Sequence, residues 1–566
     1  MTRANRVLYT GDCTYLFEGR LYNPAGGVYT AKVFHDHVRH LARSGVDTIL
    51  VNPNGQLAYY PSKKFPRLLR DYKPGDREYF RRHAIHCHGI PADKIEEFLD
   101  EEVKFYGHYL ELQNAGVDWV AETAKACRKN KVSPWLSVRM NDIHGAGDPE
   151  GSFMNCPLYC DPSKRLKGAS FNPADGSALG WQALNYELQE VRDYMMLLIR
   201  ELIEDYDYDG LELDWLRNPQ CCEPVASQST IDMMTNWIAG IRKLTEARSR
   251  RIGKPYPLGI RIAGNFGMMR SVGIDIVAIA RAGLVDFVSP SNFWQTSWDM
   301  PHDAIRAELG DKVTIYGVVE DAPNWFYGYS SKYDRTGPRM LSASPELLRG
   351  NAAGKLALGA QGIEVFNFFC TDSVVWQSSL EREGTARYEA LGELSDLEGL
   401  RGKPKHYALS SSGKGTWYPP FELPEQVPAV LEPQSRRAFR LSLCAEPTNH
   451  DLAMVVQVIV ERPGRESPVL GVGVNGCWPK YDSQKTEEFV FPVGIHTHVP
   501  ARHVGFNFVF DAKDIREGWN EFTVYNHAMF HELITTGQRP TAADRQKLSV
   551  RIMSLEIGIM PKSQAH

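Results

Sequence analysis

Much that would narrow the function of this chain is missing from it. No apolar run approaches the roughly 20 residues of a membrane-spanning helix, so no membrane partner is expected. Positive charge is not in surplus: 64 Lys and Arg stand against 69 Asp and Glu, a formal net charge of −5. A chain without a basic field has little electrostatic hold on phosphate backbones, and nucleic acid is not an expected partner. Cysteine is sparse at 10 in 566 residues, and apart from the adjacent Cys221 and Cys222 it is scattered without framework spacing. The start, MTRANRVLYTGD, lacks the apolar core of a signal peptide. A cytoplasmic location is therefore the default expectation, and a secreted or periplasmic one would need a leader ahead of this start. Metal-ligand patterns are incomplete as well. His83-x-x-His86-Cys87-His88 and Cys156-x3-Cys160 each lack a second half at zinc-site spacing. No metal and no cofactor are expected, and the histidines read as a polar loop leading toward a barrel mouth.

What is present is a long, well-patterned chain. At 566 residues it exceeds one ordinary domain, and 43% hydrophobic with 11% aromatic content supplies both a core and rings for pockets. Apolar strand candidates alternate with amphipathic helices up to about residue 370: Arg6–Asp12, Asp47–Asn52, Val132–Arg139, Asp209–Trp215, Pro257–Ile262, Val285–Ser289, Val313–Val319 and Gly362–Phe368. Eight β-then-α units imply a parallel sheet, and no Gly-rich phosphate turn follows the first strand as an open doubly wound sheet would favour. The expected fold is α/β, a (β/α)8 TIM barrel with loop insertions over residues 1–400. A Pro-rich linker or wrapping segment is expected at 401–435. Short strands with turn signals, Asn475-Gly476 among them, then predict an all-β, jelly-roll-like sandwich over 436–566. The sequence leaves oligomeric state open, a homo-oligomer included.

The barrel is organised around Tyr208–Pro219, Y-D-G-L-E-L-D-W-L-R-N-P. Leu211 and Leu213 alternate with Glu212 and Asp214, so period 2 puts both carboxylates on one face. Buried acids cost several kcal/mol unless they are paired or used, roughly. In a barrel both would point inward, with Asp214 at the C-terminal mouth where active sites lie. The competing reading is a structural Asp that pairs with Arg217 or with a neighbouring strand.

Two resemblances arise from the residues. Asp209–Pro219 resembles the fourth-strand motif of bacterial glycoside-hydrolase-like barrels, and is similar to the D-x-x-D-x-D-x-E motif of chitinases. Leu216 stands where that last acid would be, so a chitinase-type mechanism is not implied. Asp514–Val524, with Val474-Asn475-Gly476, resembles the galactose-binding-like jelly roll appended to many glycosidases.

These resemblances imply a glycosidase acting on a carbohydrate through two carboxyls. Barrel glycosidases that carry their acids after strands four and seven match by position Asp214, expected as acid/base, and Glu320, expected as nucleophile or base. Glu212 is expected to pair with Arg139 or Arg261 and to tune Asp214. An α-galactosidase-like assignment would instead make Asp214 the nucleophile and Asp299 its partner. Substrate contacts are expected from Asp12, Asn54, Arg139, Asn141, Asp142, Arg217, Arg261, Asn292 and Asn367, and a stacking platform from Trp215, Trp294, Trp298, Trp325 and Trp376. Two rivals stay open, a catalytically inactive glycan-binding barrel and a metal-dependent hydrolase using Asp12, Asp142 and His144.

Overall fold

The structure is a computed structural model that describes residues 6–12, 16–17, 27–167, 182–292, 296–320, 343–368, 387–410, 421, 423–448, 450–461, 468–493, 496–530, 533 and 535–565. Eight parallel strands close on themselves: β1 (Arg6–Gly11), β2 (Thr48–Val51), β3 (Ser133–Arg139), β4 (Leu211–Asp214), β5 (Leu258–Ala263), β6 (Phe287–Ser291), β7 (Thr314–Glu320) and β8 (Gly362–Phe366). The barrel is closed because β1 pairs with both β2 and β8.

The crossovers hold α1 (Lys32–Arg43), then α2 (Glu78–His86), α3 (Ile95–Asn114) and α4 (Trp119–Asn130) before β3. After β3 come α5 (Pro157–Cys160) and α6 (Gln189–Asp205), after β4 α7 (Gln228–Ile252), and after β5 α8 (Phe266–Ser271) and α9 (Ile276–Arg281). The last crossovers hold α10 (His302–Leu309) and α11 (Pro345–Ala357). Local chemistry sets the helix ends. Asp118 caps α4 by accepting from Val120 N and Ala121 N, and Ser227 caps α7, which stops at Gly253 with φ 68°. Ser344 caps α11 ahead of Pro345 at its first position. Among the described residues no helix is long and apolar enough to cross a membrane.

Inside the barrel the strands stack two kinds of layer. Toward the strand N-termini, Leu8, Leu50, Trp135, Phe287 and Tyr316 form an apolar cluster of their own. Phe287 lies 5.2 Å from Trp135 and 5.6 Å from Tyr316, ring centre to ring centre. Gly259 makes room for it, since a Cβ there would meet the Phe287 ring at 2.1 Å. Two residues further along the strands the lumen turns polar. Register places Ser137 beside Glu212, Arg139 beside Asp214, Asp214 beside Arg261, and Val318 beside Glu364.

The C-terminal part is all-β, with β9 (Lys405–Ser410), β10 (Ala429–Leu431), β11 (Ser435–Leu443), β12 (Leu452–Glu461), β13 (Leu470–Val474), β14 (Gln484–Thr486), β15 (Glu488–Val493), β16 (His496–His498), β17 (His503–Asp511), β18 (Gly518–Asn526) and β19 (Val550–Pro561). One antiparallel sheet runs β10-β19-β12-β17-β14, with β9 also on β19; another runs β11-β18-β13. Two expectations change here. The segment read as a linker contributes β9 and β10, and β19, on which no strand was expected, is paired by β9, β10 and β12. Polar residues hid both. Lys405 is buried against Glu446 at 2.9 Å, and His406 of β9 is buried against Glu556 of β19 at 2.6 Å. Tyr418-Pro419-Pro420 lie outside the described residues.

This region is docked on the barrel. Helix α11 lies so close to β9 and β11 that a Cβ on Gly350 would meet His406 O at 2.1 Å, and one on Gly354 would meet Ser442 O at 2.6 Å. Trp519 Nε1 donates to Asp303 at 2.9 Å, and Asn265 N donates to Phe421 O at 3.0 Å.

Candidate active site

The polar lumen begins with two deep glutamates. Glu212 Oε1 accepts from Ser137 Oγ at 2.8 Å, and Glu364 Oε1 accepts from Thr10 Oγ1 at 2.9 Å. Both are fully buried. Burial, first of all, and then the charges of Glu364 and Asp214 raise Glu212 well above the usual carboxylate range. Glu364 is raised too, by burial, with Arg261 pulling against it.

Above them sits Asp214. Its Oδ1 accepts from Arg261 Nη1 at 3.0 Å and from Leu216 N at 3.0 Å, and its Oδ2 accepts from Arg261 Nη1 at 3.2 Å. All three bonds are accepted by the Asp214 oxygens, and two of them come from one guanidinium group. Arg261 is itself fully buried, with its guanidinium carbon 3.5 Å from the ring centre of Phe366. Burial lowers Arg261, but Asp214, Glu364, Glu320 and Glu212, in that order, raise it above its ordinary value. Five ionisable groups from β4, β5, β7 and β8 thus act on one another around one guanidinium. The expected pairing of Glu212 with Arg139 or Arg261 is not formed among the described residues: Glu212 is bonded to Ser137, Arg261 is in a salt bridge with Asp214, and Arg139 is in salt bridges with Asp12 and Asp142.

A second network lies across the ends of β1, β3 and β4. Arg139 bridges Asp12 and Asp142, bonding Asp12 through Nη2 and Asp142 Oδ2 through Nη1 at 3.2 Å. Arg217 Nη1 approaches Asp12 Oδ2 at 3.6 Å, and His144 Nδ1 meets Asp142 at 2.8 Å. Burial pushes Asp12 up, yet Arg139, Arg217 and His144 outweigh it and bring it down to about 2. Asp142 is lowered further against the same burial, by His144, Arg139 and Arg217. The residues of the metal reading are therefore together, but a guanidinium bridges the two carboxylates that would hold the cation. Among the described residues no group of three His, Cys, Asp or Glu side chains is arranged to hold a metal. His83 and His88 are kept neutral, burial lowering them to about 2 and about 4, and His83 Nδ1 meets Ser152 Oγ at 2.8 Å.

Several expected substrate contacts have structural duties. Asn54 Nδ2 donates to Arg139 O at 2.9 Å and to Gly55 O at 2.7 Å. Asn141 donates to Leu184 O at 3.0 Å and Gln220 O at 2.8 Å and accepts from Leu184 N at 3.1 Å, so its amide is spent on backbone. Asn367, at φ 48°, accepts from Asp12 N at 3.2 Å and thus positions Asp12. The platform is also corrected in part. Trp215 is fully buried edge-on to Tyr186, because it follows Asp214 and so faces the helices, and Trp298 is buried as well. Trp294, Trp325 and Trp376 lie outside the described residues.

Glu320 ends β7, buried, with its backbone clamped from both sides by one hydroxyl: N donates to Thr296 Oγ1 at 3.1 Å, and Thr296 Oγ1 donates to Glu320 O at 3.2 Å. Asn292 is buried on the same β6 loop, and its Oδ1 has no hydrogen-bond partner among the described residues. The rival Asp299 accepts from Gln426 Nε2 at 2.8 Å, a residue of the segment that leads into the β region. Sequence reasoning missed Glu364, Phe366 and Thr296. A signal existed for the first two: Gly362, Glu364 and Phe366 alternate with Ile363 and Val365 just as the β4 acids alternate with leucines.

No protein-family model matches the chain, and no curated protein sequence matches it. Solved structures give distant likenesses. Alpha-L-fucosidase isoenzyme 2 from Paenibacillus thiaminolyticus is 15% identical over 69% of this chain and 49% of its own, with a TM-score of 0.36. Isoenzyme 1 from the same organism is 12% identical over 93% and 97%, at 0.35. A family 18 N-acetylglucosaminidase from Paenibacillus barengoltzii is 12% identical over 69% and 100%, at 0.32. The chain spans about half the length of the first of these. Likenesses at these scores assign no role to any residue, and the chemistry of the mouth is read from the geometry of this chain alone.

Proposed function

We propose that the protein is a glycoside hydrolase that cleaves an oligo- or polysaccharide at the C-terminal mouth of the barrel, with Asp214 as the anion at the anomeric centre and Glu320 as the proton donor. The observation that carries this reading is the buried pairing of Asp214 with the Arg261 guanidinium. Cleavage of a glycosidic bond needs one ionised carboxylate, to attack or to activate water, and one acid to protonate the leaving oxygen. A carboxylate held by a guanidinium suits the first task and is poorly placed for the second. That exchanges the roles expected from sequence and leaves proton transfer to Glu320. Backbone clamping by Thr296 gives Glu320 a fixed origin, as proton transfer over hydrogen-bond distance requires. The Asp12–Arg139–Asp142–Arg217–His144 network supplies hydroxyl-binding groups at the rim, where the His144 side chain is 40% exposed and Asp12 16%.

The test is hydrolysis of a panel of plant and microbial oligo- and polysaccharides by the full chain, repeated with Asp214→Asn and Glu320→Gln. Loss of turnover in both variants, without loss of fold, supports the reading; turnover unaltered in either rejects it. One observation favours a second reading. Asp214 is only 2% exposed, and its ion pair fits a purely structural link between β4 and β5. The barrel would then bind glycan without cleaving it, and glycan affinity would survive both substitutions.

A further inference from the structure

The β11-β18-β13 sheet carries a feature that packing does not explain. Trp478 is 60% exposed immediately after the Asn475-Gly476 hairpin turn, whose φ angles are 52° and 87°. Its ring lies 5.2 Å from Tyr525, and Tyr525 lies 5.7 Å from His527 with the two planes parallel to within 1°. The strand beside them makes this arrangement possible. Gly471 pairs with Tyr525, and a Cβ on Gly471 would strike His527 Nε2 at 2.5 Å, so the imidazole lies directly over bare backbone. Beside these rings is a cavity of about 540 Å³, lined by Tyr525, His527, Gln434 and Arg436 among others.

Two further details point to a ligand. Gln434 stands at φ 56° in the turn Glu432-Pro433-Gln434-Ser435, closed by Ser435 N donating to Glu432 O at 3.3 Å. Proline at the second position and a positive φ at the third make this a type II turn, where glycine is the unstrained choice. A glutamine held there keeps a polar side chain at the cavity at the cost of backbone strain, the pattern of a binding position. Arg436, which pairs with Tyr525 from the other neighbouring strand, is exposed. It forms no ion pair among the described residues, and no carboxylate among them lines the cavity. The cavity is therefore cationic and bordered by flat rings.

We infer that the outer face of this sheet is a second, non-catalytic glycan site for an acidic oligosaccharide, with sugar faces laid on Trp478, Tyr525 and His527 and a uronate carboxylate met by Arg436. Aromatic faces offer an apolar platform to the C–H faces of pyranose rings, and a guanidinium prefers a carboxylate over a hydroxyl through paired, charge-assisted bonds. The site is separate from the barrel mouth, so it stands whether or not the catalytic reading does.

Titration calorimetry of the full-length protein tests it, with oligogalacturonate, oligoalginate and glucuronoxylan as probes and methyl-esterified oligogalacturonate as the neutral control. At least one acidic probe is expected to bind about tenfold more tightly than the neutral control, a preference that Arg436→Gln removes. Trp478→Ala should weaken acidic and neutral binding alike by about tenfold, and Asp214→Asn should leave this binding in place. Aryl-glycoside turnover, if present, should be the same in Trp478→Ala as in the parent, which separates this site from the barrel. Absence of binding to all three acidic probes, equal affinity for the ester, or affinity unchanged in Trp478→Ala would each overturn the inference. So would a sedimentation coefficient that falls in Trp478→Ala without glycan binding, which would assign the face to self-association.

Discussion

The two ends of the barrel lumen are made by the same strands and have opposite chemistry. At the N-terminal end Trp135, Phe287 and Tyr316 fill the interior with rings; two residues further on, Ser137, Ser289 and Val318 lie level with Glu212, Arg261 and Glu364. The lower layer needs nothing but volume, so its residues answer to packing. The upper layer buries at least four carboxylates with a guanidinium at their centre, an arrangement that packing alone would not select. One end is filled by aromatic rings and the other by charge.

The sharpest way to break this contrast is to alter one end and look for the effect assigned to the other. Asp214→Asn or Glu320→Gln should lower turnover by about 10³-fold on any natural oligo- or polysaccharide the protein cleaves, read by initial rates. Trp135→Ala should cost about 3–5 kcal/mol in denaturant unfolding while the folded fraction keeps its rate per molecule. A Trp135 variant of normal stability, or one inactive while folded, would erase the distinction.

Within the polar end, two carboxyls should respond to pH with opposite sign. Asp12 is held at about 2, below its ordinary 3.8, so its pairing adds stability above 3.8 that is lost as the pH falls toward 2. That difference amounts to about 2 kcal/mol, so Asp12→Asn should destabilise most near neutrality and least near pH 2, by thermal melts across pH. Glu212 is raised above its ordinary 4.5, so its contribution is full below 4.5 and is lost as the pH climbs through its raised value. Glu212→Gln should therefore flatten the decline in stability on the alkaline side. A parallel response of the two variants would contradict the layered picture.

Much of the barrel was legible because its signals are local. All eight strands lie within about two residues of where alternation and helix punctuation put them, and β4 announces two inward carboxylates by period alone. The sites were less legible, for a physical reason. Which arginine meets which acid depends on inter-strand register, and the leap from Glu212 to Asp214 as partner of Arg261 is one such step. Asn54 and Asn141 look like ligand groups in sequence, yet backbone carbonyls claim them in the fold. β19 was hidden by Ser554 and Glu556, buried polar residues whose partners become visible only in the fold: Ser554 donates to Glu556, and His406 from β9 meets the same glutamate in the interior.

The division of labour between Asp214 and Glu320 is tested most directly by leaving-group dependence. Once a cleaved sugar is found, its dinitrophenyl glycoside and its natural oligosaccharide should be compared as substrates for the two variants. A dinitrophenolate leaves without a proton, so Glu320→Gln should retain most turnover on the aryl substrate and lose about 10³-fold on the oligosaccharide, while Asp214→Asn fails on both. The reverse pattern, with Asp214→Asn active on the dinitrophenyl glycoside and Glu320→Gln active on neither, would contradict the assignment.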